Sequence, residues 1–503
     1  MNTFMHNLEN ATNYGYTENG AVKRLTTNSA VYDMFAFMGA YRKRRDEDCI
    51  LLFKNAFEED PLLALKCLFY GRDCRGGLGE RRFFRVCLRW LAEYNPKVVR
   101  RNLEHIPFFG RWDDLYILMD TPIEKDVFEL IKNQLILDMQ DCMKDKNTGI
   151  SLLGKWLKSE NASSAETKKL AKKTREALGM TARDYRKMLS RLRERIKVLE
   201  KLMSANRWEE IDFSKIPSKA GLIYRNAFAR HDIIAERYAA FARDKETKVN
   251  AATLYPYEVV EKALKLKTSN LDLFNTDKLM IDKYWENLPD YLEGKDCKMM
   301  CVVDTSGSMF GTPMNVAISL GMYCAERLSG PFSNRYISFS RRQQLIKVEG
   351  IDFVDKVNRI YRTNLCENTN LNAVFDLLLN VALDKNTRKE DIPETIVVIS
   401  DMEIDTGTGY NYWSANRDDV WTTKNTATEM EKIRQKWTSY GFKLPRLIYW
   451  NVDARHSTIL DSGPNVTFVS GASPVIFKSV LTGKNGYDLM LEAITADRYN
   501  VIK

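Results

Sequence analysis

A chain of 503 residues, 44% apolar and 28% charged, is of ordinary soluble globular type and too long for a single core, so two or three domains are expected. No apolar run approaches the roughly 18–20 residues of a membrane span, and the first residues lack the apolar centre of a signal peptide. Nine cysteines without regular spacing, among them Cys67, Cys87 and Cys301 in apolar patterns, read as reduced buried thiols of a cytoplasmic protein. Cys297 and Cys301 have no His or Cys partners nearby, which argues against a zinc site.

The formal charge of +9 is uneven. Residues 291–503 hold 25 Lys and Arg against 25 Asp and Glu, so the whole excess lies in the first 290. Residues 151–250 alone carry 24 bases against 13 acids. A polyanionic partner is therefore expected on the N-terminal part.

Residues 1–30, rich in Asn, Thr and Gly, read as an extended or loosely packed lead-in. Residues 31–290 read as helical throughout, with apolar positions every three to four residues. Pro61 opens a helix over 61–70. Gly71 to Gly79 follows as a glycine-rich turn with two arginines, then a helix from Glu80 to about Tyr94. A second such turn, Gly110-Arg-Trp-Asp-Asp114, puts two acids at a helix start, where the dipole favours them. The first turn follows no buried strand and lacks the Gly-Lys-Ser/Thr ending of a phosphate loop, so its glycines read as caps and tight turns.

The most basic stretch is 151–218. Thr181 is a candidate cap for a long helix to about Ala205. Tyr185, Met188, Leu189, Leu192, Ile196, Leu199 and Met203 would line one side. Two readings of the bases off that stripe stand about even: a solvated face, or a surface for RNA or another polyanion. The candidate RNA contacts are Lys155, Lys158, Lys168, Lys169, Lys172, Lys173, Arg175, Arg186, Lys187 and Arg191. Residues 268–294 read as a connector into a second domain.

That domain, 295–503, alternates strands and helices, the pattern of a doubly wound α/β sheet. Its first strand, Met299–Val303, is unbroken apolar and ends in Asp304-Thr-Ser306-Gly-Ser308. A second buried strand, Thr395–Ser400, ends in Asp401. Thr369 precedes a helical pattern at Leu371. These five are oxygen donors of the kind that Mg2+ or another hard divalent cation prefers.

Asp-x-Ser-x-Ser followed by Thr369 and Asp401 resembles the metal-ion-dependent adhesion site of a von Willebrand factor type A domain. That resemblance implies ligation by Ser306, Ser308 and Thr369, with Asp304 and Asp401 binding directly or through water. It also implies one open position, which in that family usually takes a carboxylate from a partner protein. Asp401-Met402 departs from the Asp-Gly of many such domains. The aromatic segment Gly409–Trp413 and Asp405 are candidate rim residues.

The layout, and the turns at Arg72–Arg81 and Ile106–Asp114, resemble the Ro autoantigen family and an uncharacterised Ro-like family of phages, bacteria and plants. In these a TROVE module of HEAT-like helical repeats meets an A-type domain. The resemblance implies a multidomain chain with a non-catalytic role, holding structured or misfolded RNA on the basic helical module. The alternative is a protein-interaction scaffold that grips an acidic partner through the metal site, without RNA. No Ser-His-Asp order, Cys-His pair or paired acids point to an enzyme, and no membrane partner is indicated.

Overall fold

The computed structural model describes residues 12–17, 22–144, 149–266, 271–294, 297–339, 343–363, 371–403, 428–460, 463, 465–480 and 484–503. Within the lead-in, β1 (Gly15–Tyr16) and β2 (Val22–Lys23) pair antiparallel. The Asn13 side chain accepts from the backbone of Leu25 (2.8 Å) and Thr26 (3.1 Å). Arg24 pairs its backbone with Ile459 and donates to both oxygens of Glu431 (2.8 and 3.1 Å). The described part of the lead-in is thus partly extended, as one of the two expectations had it, but fastened to the C-terminal half rather than loosely packed. Composition signalled its polarity but not its long-range partners.

From Ala30–Phe37 to Leu271–Glu286, every regular element among the described residues is helical. Local chemistry sets the starts. Ser29, Asp60, Ser164 and Thr181 each accept a backbone N–H of the first turn, and Pro61 occupies the first helical position of Pro61–Arg72. The helix that Thr181 caps runs only over Ala182–Arg195, with a second piece at Leu199–Ser204. Lys197, at φ +47°, breaks it in a left-handed turn in which Val198 N–H bonds back to Arg193 O (3.2 Å). Leu199 of the expected stripe still reaches the core, but Ile196 and Met203 are only half-buried and Leu202 is buried instead, so the break shifts the apolar face.

The two glycine–arginine turns interlock. Asp114, fully buried, accepts from Arg72 Nε (2.9 Å), Arg85 Nε (2.6 Å) and Arg111 N–H (2.9 Å). Asp113 takes the Arg111 fork (2.8 and 2.7 Å) and Arg85 (3.0 Å). Burial pushes the Asp113 carboxyl up, but Arg111 and Arg85 outweigh it and hold it below its usual range. Gly110 permits this approach: a Cβ there would lie 2.3 Å from Asp114 Oδ2. In the first turn a Cβ on Gly77 would lie 2.0 Å from Tyr70 O. Asp73, also fully buried, accepts from Arg498 Nε (2.5 Å) and Tyr499 Oη (3.0 Å), which ties this turn to the chain's last residues.

The C-terminal half is α/β. Its six strands are β3 (Met299–Asp304), β4 (Arg335–Phe339), β5 (Gln343–Lys347), β6 (Thr395–Ser400), β7 (Arg446–Asn451) and β8 (Val466–Ser470). They lie in the order β5-β4-β3-β6-β7-β8, parallel except for the antiparallel edge strand β5. β3, β6, β7 and β8 are almost wholly buried, as strands covered on two faces must be. The helix Thr312–Arg327 packs on β3, β4 and β6.

The halves share one continuous core from Val31 to Ile502. Helix Ala30–Phe37 lies on β8: Tyr32 Oη accepts from Phe468 N–H (2.9 Å), and Gly39 N–H donates to Ser470 Oγ (3.0 Å). A Cβ on Gly39 would sit 2.5 Å from Ser470 O, so the approach requires glycine.

Asp282, on Leu271–Glu286, stores an electrostatic cost. Burial and then the Asp352 carboxylate push its carboxyl up to about 7, against Lys278 and the Val354 N–H, and its Oδ1 is buried without a partner. The folded chain therefore holds this proton better than the unfolded one. Its contribution to stability is full below about pH 4 and is lost as pH rises through about 7. Asp282→Asn should raise stability at pH 8 by about 1–2 kcal/mol, allowing for partial solvent access, and by nothing at pH 4. Urea melts of both proteins at the two pH values check this; equal gains at both would refute it.

Candidate functional site

The strand order reverses between β3 and β6, a switch point of the kind at whose carboxyl ends open α/β sheets bind ligands. β3 delivers Asp304 there and β6 delivers Ser400-Asp401. Register pairs Val303 with Ile399, which puts Ser400 level with Asp304 and Asp401 one residue beyond it.

Asp304 is fully buried. Its Oδ1 accepts from Ser306 N–H (2.9 Å) and its Oδ2 from Ser400 Oγ (2.6 Å). Ser306 Oγ and Ser308 Oγ lie 3.0 Å apart. Asp401 Oδ1 accepts from Glu403 N–H (3.2 Å). Asp401 Oδ2 is buried without a hydrogen bond, and the Arg455 guanidinium stands 3.6 Å away. Burial, then the Asp401 carboxylate, push the Asp304 carboxyl up to about 7, against hydrogen bonds from Ser400 and Ser306. Burial also raises Asp401, opposed by the Glu403 N–H, the Ser308 hydroxyl and Arg455. Two buried carboxylates, one with an oxygen that has an ion pair but no hydrogen bond, beside two converging hydroxyls form an oxygen set with a single guanidinium for balancing charge. A hard divalent cation would supply that charge.

Of the five ligands expected from sequence, Asp304, Ser306, Ser308 and Asp401 converge. Thr369 lies outside the described residues, as do Asp405 and 409–413. Met402, next to Asp401, is buried at φ +65°, a left-handed conformation that a Cβ makes costly by about 1–2 kcal/mol. Among the described residues no three His, Cys, Asp or Glu side chains group as a metal site, so the set stands on its hydroxyls.

The sequence reading missed what surrounds the pair. Glu403, 1% exposed, accepts from Thr458 Oγ1 (3.2 Å) and lies 3.4 Å from His456 Nδ1; buried Lys23 of the lead-in reaches Thr458 Oγ1 (3.3 Å). Arg455 donates to Ser308 O (2.5 Å). The alternation Asp401-Met-Glu403 hinted at the second acid, whereas nothing marked the 453–458 loop.

The basic helices divide. Lys168, Lys169, Lys172, Arg186, Lys187 and Arg191 are exposed on Ala165–Ala177 and Ala182–Arg195. Lys173 is held by Asp120 (2.7 Å) and Glu124 (2.6 Å), and Arg175 by Glu160 (2.8 Å). Lys155 and Lys158 are half-buried over the rings of Trp156 and Tyr116. Arg193, which also lies off the apolar stripe, donates to Gly154 O, Leu157 O and Ser159 Oγ and serves as a brace. A groove of about 770 Å³ opens beside it, lined by Lys155, Trp156, Arg186, Ser190 and Lys201 among others.

Two families match in succession. Residues 17–176 and 139–296 match a domain of unknown function, DUF2828, and together these segments span more than half of the chain. The chain belongs to the DUF2828 family. Residues 298–499 match a second domain of unknown function, DUF7788, so the border between the two matches falls at the entrance to β3. The DUF2828 part holds the interlocked turns and the basic helices; the DUF7788 part holds the carboxylate pair. The chain is also 28% identical over 516 residues to "Uncharacterized protein L728" of Acanthamoeba polyphaga mimivirus, an alignment covering 94% of this chain and 85% of that protein. No helix among the described residues is long and apolar enough to cross a membrane.

Proposed function

We propose that this protein is a non-catalytic RNA-binding protein of Ro-like type. Its helical half is the TROVE-like, HEAT-like module that holds RNA. Its α/β half is a von Willebrand factor A-type domain in which Asp304, Ser306, Ser308, Thr369 and Asp401 hold Mg2+ or a similar cation for a ligand. What supports RNA binding is the exposure of six bases on two consecutive helices, one of which, Arg186, lines an open groove together with Trp156. Phosphate neutralisation by such a surface needs no sequence-reading contact.

The test is the salt dependence of RNA binding by the full chain. Exchanging Lys168, Lys169, Lys172, Arg186 and Lys187 for Gln should weaken binding at low salt. It should flatten the slope of log affinity against log salt by about 0.7 for each phosphate no longer neutralised. An unchanged slope would remove this surface from the proposal. A second reading is a scaffold that takes a partner's carboxylate at the metal without RNA. Absence of nucleic acid from protein purified without nuclease would favour it.

A further inference from the structure

The left-handed turn at Lys197 sets Leu199–Ser204 beside the end of Ala182–Arg195, where Lys201 donates to Ser190 O (2.9 Å). These two helices and the turn that carries Trp156 line the groove of about 770 Å³. Its charge is unbalanced. Lys201 is paired with Glu194 (2.5 Å), and Glu160 with Arg175 (2.8 Å). Lys155, Arg186 and Arg193 also line the groove and have no carboxylate partner among the described residues. Arg186 turns its Nε back to Ala182 O of its own helix (3.1 Å), and Arg193 donates to Gly154 O (3.0 Å) and Leu157 O (2.8 Å), on either side of Trp156. Burial pushes the Arg193 guanidinium down, and the groups that oppose this are the hydroxyls of Tyr185 and Tyr116 rather than an acid. The remaining lining acid is Glu200, which accepts from Tyr224 Oη (3.5 Å). Half-buried Trp156 has Arg111 stacked 3.9 Å from its ring centroid, and Lys155 Nζ stands 5.6 Å from it. Arg111 is not among the lining residues, so the groove meets the indole away from that guanidinium.

We infer that this groove is a nucleotide site, in which the base packs against Trp156 and the phosphate lies among Lys155, Arg186 and Arg193. It deepens the RNA reading of these helices, and rests on that reading only for whether the nucleotide is an unpaired unit of RNA or free. Pockets of about 300–1,000 Å³ take ligands of this size. An aromatic side chain stacks any base, and guanidinium groups match phosphate oxygens. A peptide carboxylate would use the cations and leave the indole unmatched; an apolar ligand would do the reverse. A duplex hides the faces of its bases, so the site selects unpaired nucleotides.

The experiment measures binding of AMP, adenosine, inorganic phosphate and a short oligouridylate to the full chain by calorimetry. Trp156→Ala should weaken the nucleotide ligand about tenfold or more, Trp156→Phe should restore most of that, and Lys155→Gln should cost about threefold. If AMP binds, it should do so at least about tenfold more tightly than adenosine or phosphate, and the free nucleotide is the source. If only the oligouridylate binds, and both substitutions weaken it, the source is RNA. Should Trp156→Ala fail to fold, Lys155→Gln decides alone. Oligouridylate and AMP affinities that ignore both substitutions would overturn the inference; persistence of salt-dependent RNA binding in those variants would leave the RNA surface of Lys168, Lys169 and Lys172 standing without the groove. AMP bound by a chain that takes no RNA would do the opposite, keeping the groove and removing the RNA reading. Polyglutamate that displaces the nucleotide and binds Trp156→Ala as well as wild type would overturn the inference and name an acidic peptide as the ligand.

Discussion

Asp114→Ala is expected to destabilise the helical half by about 3–5 kcal/mol, the cost of leaving buried guanidinium charge without its partner. Arg72 is only 3% exposed and Arg85 26%, and both turn their Nε toward this one carboxylate, which also caps the following helix through Arg111 N–H. Burial makes the pair costly to break even though its net value against an apolar pair is small. Asp114→Asn, which keeps the acceptor but not the charge, should fall in between. Chemical denaturation followed by far-ultraviolet circular dichroism checks this, and a loss below about 1 kcal/mol would mean that the network relaxes around the gap.

Mg2+ should stabilise the wild-type chain by about 2.7 kcal/mol at a hundred times its dissociation constant, and Asp304→Ala should abolish the gain. The reason is the nearness of Asp304 and Asp401, two buried acids whose charges raise the cost of burial. Asp304→Asn separates this cause from general damage: it preserves shape and can still accept from Ser400. Without metal it should be at least as stable as the wild type, because one buried charge is gone. Thermal melts with and without Mg2+ measure both effects. If Asp304→Asn keeps the wild-type response to Mg2+, the site is wrongly assigned.

The carboxylate pair was legible because an apolar run that stops at an acid is a strand end delivered to a sheet edge, and this happens twice in the C-terminal half. The alternation of strand and helix patterns marked the rest of that half as α/β. The break at Lys197 could not, since periodicity registers side-chain direction and a single left-handed residue that is neither Gly nor Asn leaves no mark on it. Both glycine–arginine turns were visible, but that Arg72 of one meets Asp114 of the other is a matter of packing, which spacing does not encode. Arg455 and His456 were missed because their loop has neither period nor motif. The bases of the 151–218 region were visible as a group. Their division into exposed Lys168 and bracing Arg193 required the partners to be seen.

Helix Ala30–Phe37 rests on β8, and the bond from Gly39 to Ser470 spans 431 residues of chain. On a ribosome making about 5–20 residues per second, the helix emerges long before its partner strand exists. Tyr32, whose hydroxyl and ring meet Phe468 of β8, must therefore wait through most of translation without its final cover. The helical half cut off before Met299 would leave that same surface open permanently, so clumping or capture by chaperones is the expected fate of such a fragment, and the two halves are best produced as one polypeptide.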